Sequence, residues 1–157
     1  MANGDDDDVV IEHPNRGRAA SQLTRLVVIV LLLASAALVL IVTLGGWSAL
    51  ESAKPVQILF VIVDVVLAVF VARWTRGVLP MAAGIAVILG IFAAVAAPAW
   101  FARDNPGFAD PAISSAVLGL LCALIIPVQL ALIVCAMQGF RQRWNVEAER
   151  PRAEPAA

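Results

Sequence analysis

Four apolar runs separated by short polar connections, residues 26–44, 55–72, 78–101 and 112–140, leave this chain few ways to fold. About 20 predominantly apolar residues, at about 1.5 Å of rise each, cross the ~30 Å hydrocarbon core of a bilayer. A soluble helical bundle would need a polar face repeating with the helical period along each run, and no run carries one. At 61% hydrophobic and 15% charged residues, with a mean hydropathy of +0.89, the chain is too apolar to enclose a core in a polar shell. The sequence therefore predicts an all-α integral membrane protein, a bundle of four transmembrane helices occupying residues 23–140.

Threading the four runs through a bilayer segregates the charges. Nine of the 11 basic residues fall on one side: Arg16, Arg18 and Arg25 before the first run, Arg73 and Arg76 between the second and third, and Arg141, Arg143, Arg150 and Arg152 after the fourth. Lys54 and Arg103 fall on the other. The excess of positive charge predicts that both termini lie in the cytoplasm. Trp47, Trp74, Trp100 and Trp144 sit at the exit ends of the four runs in turn. Indoles favour the water–hydrocarbon interface, so these four are expected to anchor the spans there.

Asp64, at the centre of the second run, is the one charge inside any apolar run. A carboxylate at the bilayer midplane costs about 2.5–3.5 kcal/mol on insertion scales, so it is expected to face a partner or a wet cavity. The other intramembrane polar residues are Gln57 on the same run, Ser35 and Thr43 on the first, and Ser114, Ser115 and Gln129 on the fourth. The second and fourth runs point the same way. Counting back from Arg73 and Arg141 puts Asp64 about 13 Å and Gln129 about 18 Å from the cytoplasmic end. The expected polar site is Asp64 with Gln129 and Gln57. A protonated Asp64 would donate to Gln129 or to the Ala123 carbonyl that Pro127 leaves without its usual partner.

Packing signals lie on the last two runs. Ala82, Ala86, Gly90 and Ala94 repeat every four residues on the third, and Ser115, Gly119 and Ala123 do so on the fourth; such small-residue ladders let helices approach closely. Pro127 is expected to kink the long fourth helix. Residues 105–107, Asn-Pro-Gly, read as a turn, and Pro111 as the opening of that helix. A cleavable signal peptide fits the first run poorly, because its leading segment would be long and acidic.

Outside the runs, residues 1–22 hold four consecutive aspartates and no apolar period, and are expected to be a disordered acidic cytoplasmic tail. A flexible tetra-aspartate lacks the fixed geometry that hard cations reward, and His13 has no ligand-type neighbours. Residues 141–157 begin basic and become Pro- and Ala-rich. Cys122 and Cys135 are about 20 Å apart along one helix, too far to bridge, and are expected to pack as small apolar groups. No phosphate-binding loop, dinucleotide fingerprint or metal-ligand spacing occurs. No catalytic function, cofactor, metal or nucleic-acid partner is expected.

Ten Arg to one Lys, Ala- and Val-rich spans, the Asn105-Pro106-Gly107 outer loop, the long last run and the Trp144-Asn145-Val146-Glu147 tail give a further pointer. In these the chain resembles uncharacterised small four-span membrane proteins of high-GC bacteria. The resemblance spans residues 26–147, implies a plasma-membrane location and carries over no activity. The expected role is non-catalytic: an accessory, assembly or scaffold subunit of a larger membrane complex, or a homo-oligomer, with the lipid bilayer as constant partner. The alternative is a small proton- or cation-coupled transporter using Asp64.

Overall fold

The computed structural model describes the backbone of residues 9–50, 52–103 and 111–151 and the side chains of residues 11–50, 52–103 and 111–148. The aspartates at 5–8 and the turn at 105–107 lie outside them. Four helices make up the body: α1 (Ala19–Gly45), α2 (Lys54–Ala72), α3 (Val78–Phe101) and α4 (Ser115–Arg141). Each is long and apolar enough to cross a membrane. Strands β1 (Val9–Glu12) and β2 (Ala148–Pro151) pair antiparallel, so the two terminal segments meet at one end of the bundle.

The buried positions repeat in alternating steps of three and four. They are Val28, Leu32, Ser35, Val39 and Val42 on α1, Leu79, Ala82, Ala86, Leu89 and Ala93 on α3, and Leu118, Cys122, Ile125, Gln129, Leu132 and Ala136 on α4. That spacing puts one seam of each helix toward its neighbours, as in antiparallel bundles with shallow crossing angles. The outward faces are apolar too, with Leu33, Leu59, Ile91, Leu120 and Leu130 all exposed. A coat of that size suits hydrocarbon better than water.

α1 packs against α2 and α4, and α3 packs extensively against α4, while α2 and α3 scarcely touch. The ring of four helices is therefore open between α2 and α3. Every buried residue of α2 (Asp64, Leu67, Ala68, Val71) lies in its second half, toward the end where the termini meet. No residue of its first half is fully buried.

Local chemistry accounts for the helix ends. Pro55 sits in the first turn of α2 and Pro80 in that of α3, where a missing N–H costs nothing. α2 closes in a Schellman motif: the Thr75 N–H bonds the Phe70 carbonyl and the Trp74 N–H the Val71 carbonyl, both near 3.1 Å. The left-handed residue in it is Trp74, at φ 61°. Arg25 donates to the Val71 and Ala72 carbonyls of that end, and Arg76 donates to the Phe140 carbonyl at the end of α4 (2.7 Å).

Several boundaries differ from the sequence reading. α1 begins at Ala19, not residue 26, because the extra turns bring Arg25 onto the end of α2 and Thr24 onto Gln142 (2.9 Å). Residues 9–12, expected to lack regular structure, pair with a segment far along the chain that no local pattern reveals. α4 begins at Ser115, not at Pro111; the Ile113 N–H bonds Gly45 at the end of α1 (3.2 Å), which holds residues 111–114 out of the helix. Helix continues on both sides of Pro127 in α4 and of Pro98 in α3.

The small-residue ladders are placed only in part as expected. Ala82 and Ala86 are buried, but Gly90 is half-buried and Ala94 exposed, and Ala93 and Ala97 take their places on the seam. A strict four-residue step gains about 40° on a 3.6-residue helix, so after three steps it has left the face. On α4, Ser115 and Gly119 are buried and Ala123 half-buried. A Cβ on Gly119 would stand 2.9 Å from the Phe101 ring of α3, which shows how closely those two helices approach.

Candidate functional site

One layer of the seam is polar. Ser35, Asp64 and Gln129, each at most 1% exposed, occupy matching positions on α1, α2 and α4. Gln129 Nε2 donates to Ser35 Oγ at 2.8 Å, and the Ser35 hydroxyl hydrogen-bonds the Asp64 carboxyl group. Asp64, expected to donate to Gln129 or to the Ala123 carbonyl, is thus joined to Gln129 through a serine that accepts from one and donates to the other. Asp64 Oδ2 and Gln129 Oε1 have no hydrogen-bond partner among the described residues. Gly90 of α3 completes the layer, since a Cβ there would touch Gln129 Cβ at 3.5 Å.

Two hydrogen bonds inside a membrane bundle contribute about 1–3 kcal/mol together. Seating the acid costs about 2.5–3.5 kcal/mol, and each orphaned buried oxygen adds about 1–3 kcal/mol. The layer is therefore not a net source of stability. It specifies register, as a polar residue does in an otherwise apolar seam, and it holds two unfilled acceptors.

Gln57 does not belong to this layer. It lies seven residues before Asp64, about 10 Å of rise away. Thr43 Oγ1 is 2.7 Å from both Gln57 Oε1 and the Val39 carbonyl, one proton facing two acceptors. Sequence reasoning included Ser35 among the intramembrane polar residues but gave Gln57 its place. The signal available was the three–four register, in which Ser35 falls on the α1 seam level with Asp64.

Next to the polar layer lies a crevice of about 500 Å³ between the first half of α2 and the second half of α3, with α1 and α4 at its back. Phe60 of α2 and Phe92 of α3 meet edge to face along it, with centroids 5.9 Å apart and planes at 75°. Phe60 is one turn from Asp64 on α2. Val56, Phe92 and Val95 line the crevice while remaining exposed, so it opens on the flank of the bundle. Apart from Ser52, Gln57 and the Cys122 thiol, its walls are hydrocarbon and aromatic.

The tryptophans part company. Trp47 is 46% exposed and stacks under Lys54 (4.7 Å); Trp74 is half-buried beneath Arg25 (4.5 Å). Trp100 and Trp144 are buried inside the bundle ends. Trp100 fills the space over Gly46, and Trp144 that over Gly139 and beside Trp74, at 5.3 Å between centroids. Two of the four expected interface anchors are thus internal plugs. Sequence position puts an indole at a helix end without saying whether the ring turns in or out.

The termini end is tied by polar contacts. Asn15 donates to the Arg143 carbonyl (3.0 Å), Arg16 to the Trp144 carbonyl and Asn145 Oδ1 (both 3.3 Å), and His13 lies 3.8 Å from Glu147. Cys122 is buried on the wall of the crevice and Cys135 half-buried; both are free thiols. No group of three or more His, Cys, Asp and Glu that could hold a metal occurs among the described residues.

Fold and site together define a class: an all-helical four-helix bundle of membrane-spanning length, with a buried Ser–Asp–Gln layer and a crevice on its flank. No protein-family model matches the chain, and neither a curated protein nor a solved structure is detectably similar to it.

Proposed function

We propose that the chain is a non-catalytic multi-pass protein of a bacterial plasma membrane, with both termini in the cytoplasm, serving as an accessory, assembly or scaffold subunit of a membrane complex. The observation that carries this reading is the use of the intramembrane polar groups. Ser35, Asp64 and Gln129 are turned inward to hold helices in register, while the outward faces stay apolar and open to lipid or to other membrane helices. The orientation rests on the basic residues gathered at the termini end, Arg16, Arg25, Arg76 and Arg143 among them. Asp64 is enclosed by its own bundle, which supports a register contact over a contact to a partner.

The test is a mild-detergent pull-down from native membranes of the tagged wild type beside Asp64→Asn. A defined membrane partner that comes down in fixed ratio with both variants supports the subunit reading. Both variants running alone at the mass of one chain overturn it.

The second reading, a proton- or cation-coupled transporter, is favoured by the two unpartnered oxygens of the layer. Its measurement is flux into vesicles holding the purified chain. That reading stands only if flux is present in the wild type and lost in Asp64→Asn.

A further inference from the structure

We infer that the crevice between α2 and α3 is a lipid site, holding the acyl chains of one phospholipid from the leaflet on the side of the α1–α2 and α3–α4 connections. The inference rests on the membrane reading above and concerns what the open flank takes in. Three features point to extended hydrocarbon and not to a helix.

The first is depth. Along α3 the crevice runs from Trp100 to Leu89, about 16 Å of helical rise. Half of the ~30 Å hydrocarbon core is about 15 Å, so the crevice reaches from the interface to the midplane and stops where one leaflet stops. The Phe60–Phe92 pair joins α2 to α3 near that depth, and beyond it α2 buries Leu67, Ala68 and Val71.

The second is closure. The crevice occupies only half of the flank and ends where α2 buries Leu67, Ala68 and Val71, whereas a membrane-spanning helix runs for about 20 residues, roughly 30 Å. A partner helix or a second copy of this chain could lie against the mouth but could not enter.

The third is chemistry. The deep walls, Val39, Leu89, Ala93 and Ile125, offer no hydrogen bond to a peptide or a sugar, and the Cys122 thiol among them is a weak partner at most. The stronger polar groups, Ser52 and Gln57, lie nearer the end where a headgroup would sit, and Lys54, at the start of α2 between Ala53 and Pro55, stands over the Trp47 ring.

The experiment is native mass spectrometry of the full chain purified in mild detergent from phospholipid membranes, with two variants that fill the crevice and one control. Ala96→Trp fills the wall and Ala99→Trp the exposed mouth; Leu130→Trp adds the same indole to an outward site on α4. Circular dichroism confirms equal helix content. The expected result is one phospholipid retained per wild-type chain, unchanged in Leu130→Trp and reduced about tenfold in both filled variants, a change of about 1.4 kcal/mol in binding.

A wild type that retains no more lipid than the filled variants overturns the inference, as does full retention by Ala99→Trp. A lipid-free mass of two chains overturns it in favour of a second copy over the flank. Alkaline carbonate washing of the membranes separates the two failures. A chain released by the wash sinks the membrane reading, whereas a chain that stays in the membrane but carries no lipid sinks the lipid site alone.

Discussion

Ser35 is the residue on which the polar layer turns, and its neighbours depend on it unequally. Removing its hydroxyl strands Gln129 Nε2 and the Asp64 carboxyl group together, whereas Asn at position 64 can still accept from Ser35. Ser35→Ala is therefore expected to destabilise the bundle by about 1–3 kcal/mol, and Asp64→Asn by less than about 1 kcal/mol; thermal unfolding in micelles compares them, and equal losses would remove Ser35 from the hub. Trp74 gives a second contrast. Its φ of 61° costs any L-residue about 1–2 kcal/mol, and the stacks with Arg25 and Trp144 offset that strain. Trp74→Ala loses the stacks and keeps the strain, while Trp74→Gly loses both, so Gly should unfold at the higher temperature by about 1 kcal/mol of stability. The acid at position 64 was legible in the sequence because a charge in an apolar run stands out. Ser35 was harder to weigh, since a serine in an Ala-rich helix carries no such contrast and its importance comes from two helices that only the fold brings to it.

At the level of elements, run length and hydropathy disclosed all four helices, because crossing hydrocarbon is a demand that every residue in a run must meet. Ends and faces were less visible, because tertiary contacts set them: Ile113 on Gly45 delays α4, and Arg25 on the end of α2 rewards the early start of α1. The glycines sort by the same contacts. A Cβ at Gly46 would stand 2.6 Å from the Trp100 ring, while one at Gly84 on α3 would meet nothing within 4 Å. Gly46→Ala should thus cost about 1–3 kcal/mol through displacement of Trp100, and Gly84→Ala should stabilise by up to about 1 kcal/mol through helix propensity. Unfolding midpoints of the two variants decide this, and a neutral Gly46→Ala would mean that Trp100 does not plug that end.

Across the whole molecule, the pairing of β1 with β2 closes the chain on itself at the basic end. Ile11 stands opposite Glu149 in that register, at a Cα separation within reach of a disulfide in any antiparallel pair. The double variant Ile11→Cys with Glu149→Cys should oxidise to an intramolecular disulfide seen as faster migration without reductant; a chain that stays reduced would show that the termini do not pair. Neither tail announced this in the sequence, since four residues of strand are a weak local signal and the partner segment is almost a chain length away. The polar layer bears in turn on how the protein is made. Helices leave the ribosome in order, so Ser35 and Asp64 can meet once the first hairpin closes, and on the membrane reading proposed above the acid is then covered early. Gln129 is 94 residues from Ser35 and comes last. Until it arrives, the serine oxygen keeps a free acceptor facing the empty berth of the fourth helix, and that single acceptor favours the one depth of insertion at which a glutamine amide can reach it.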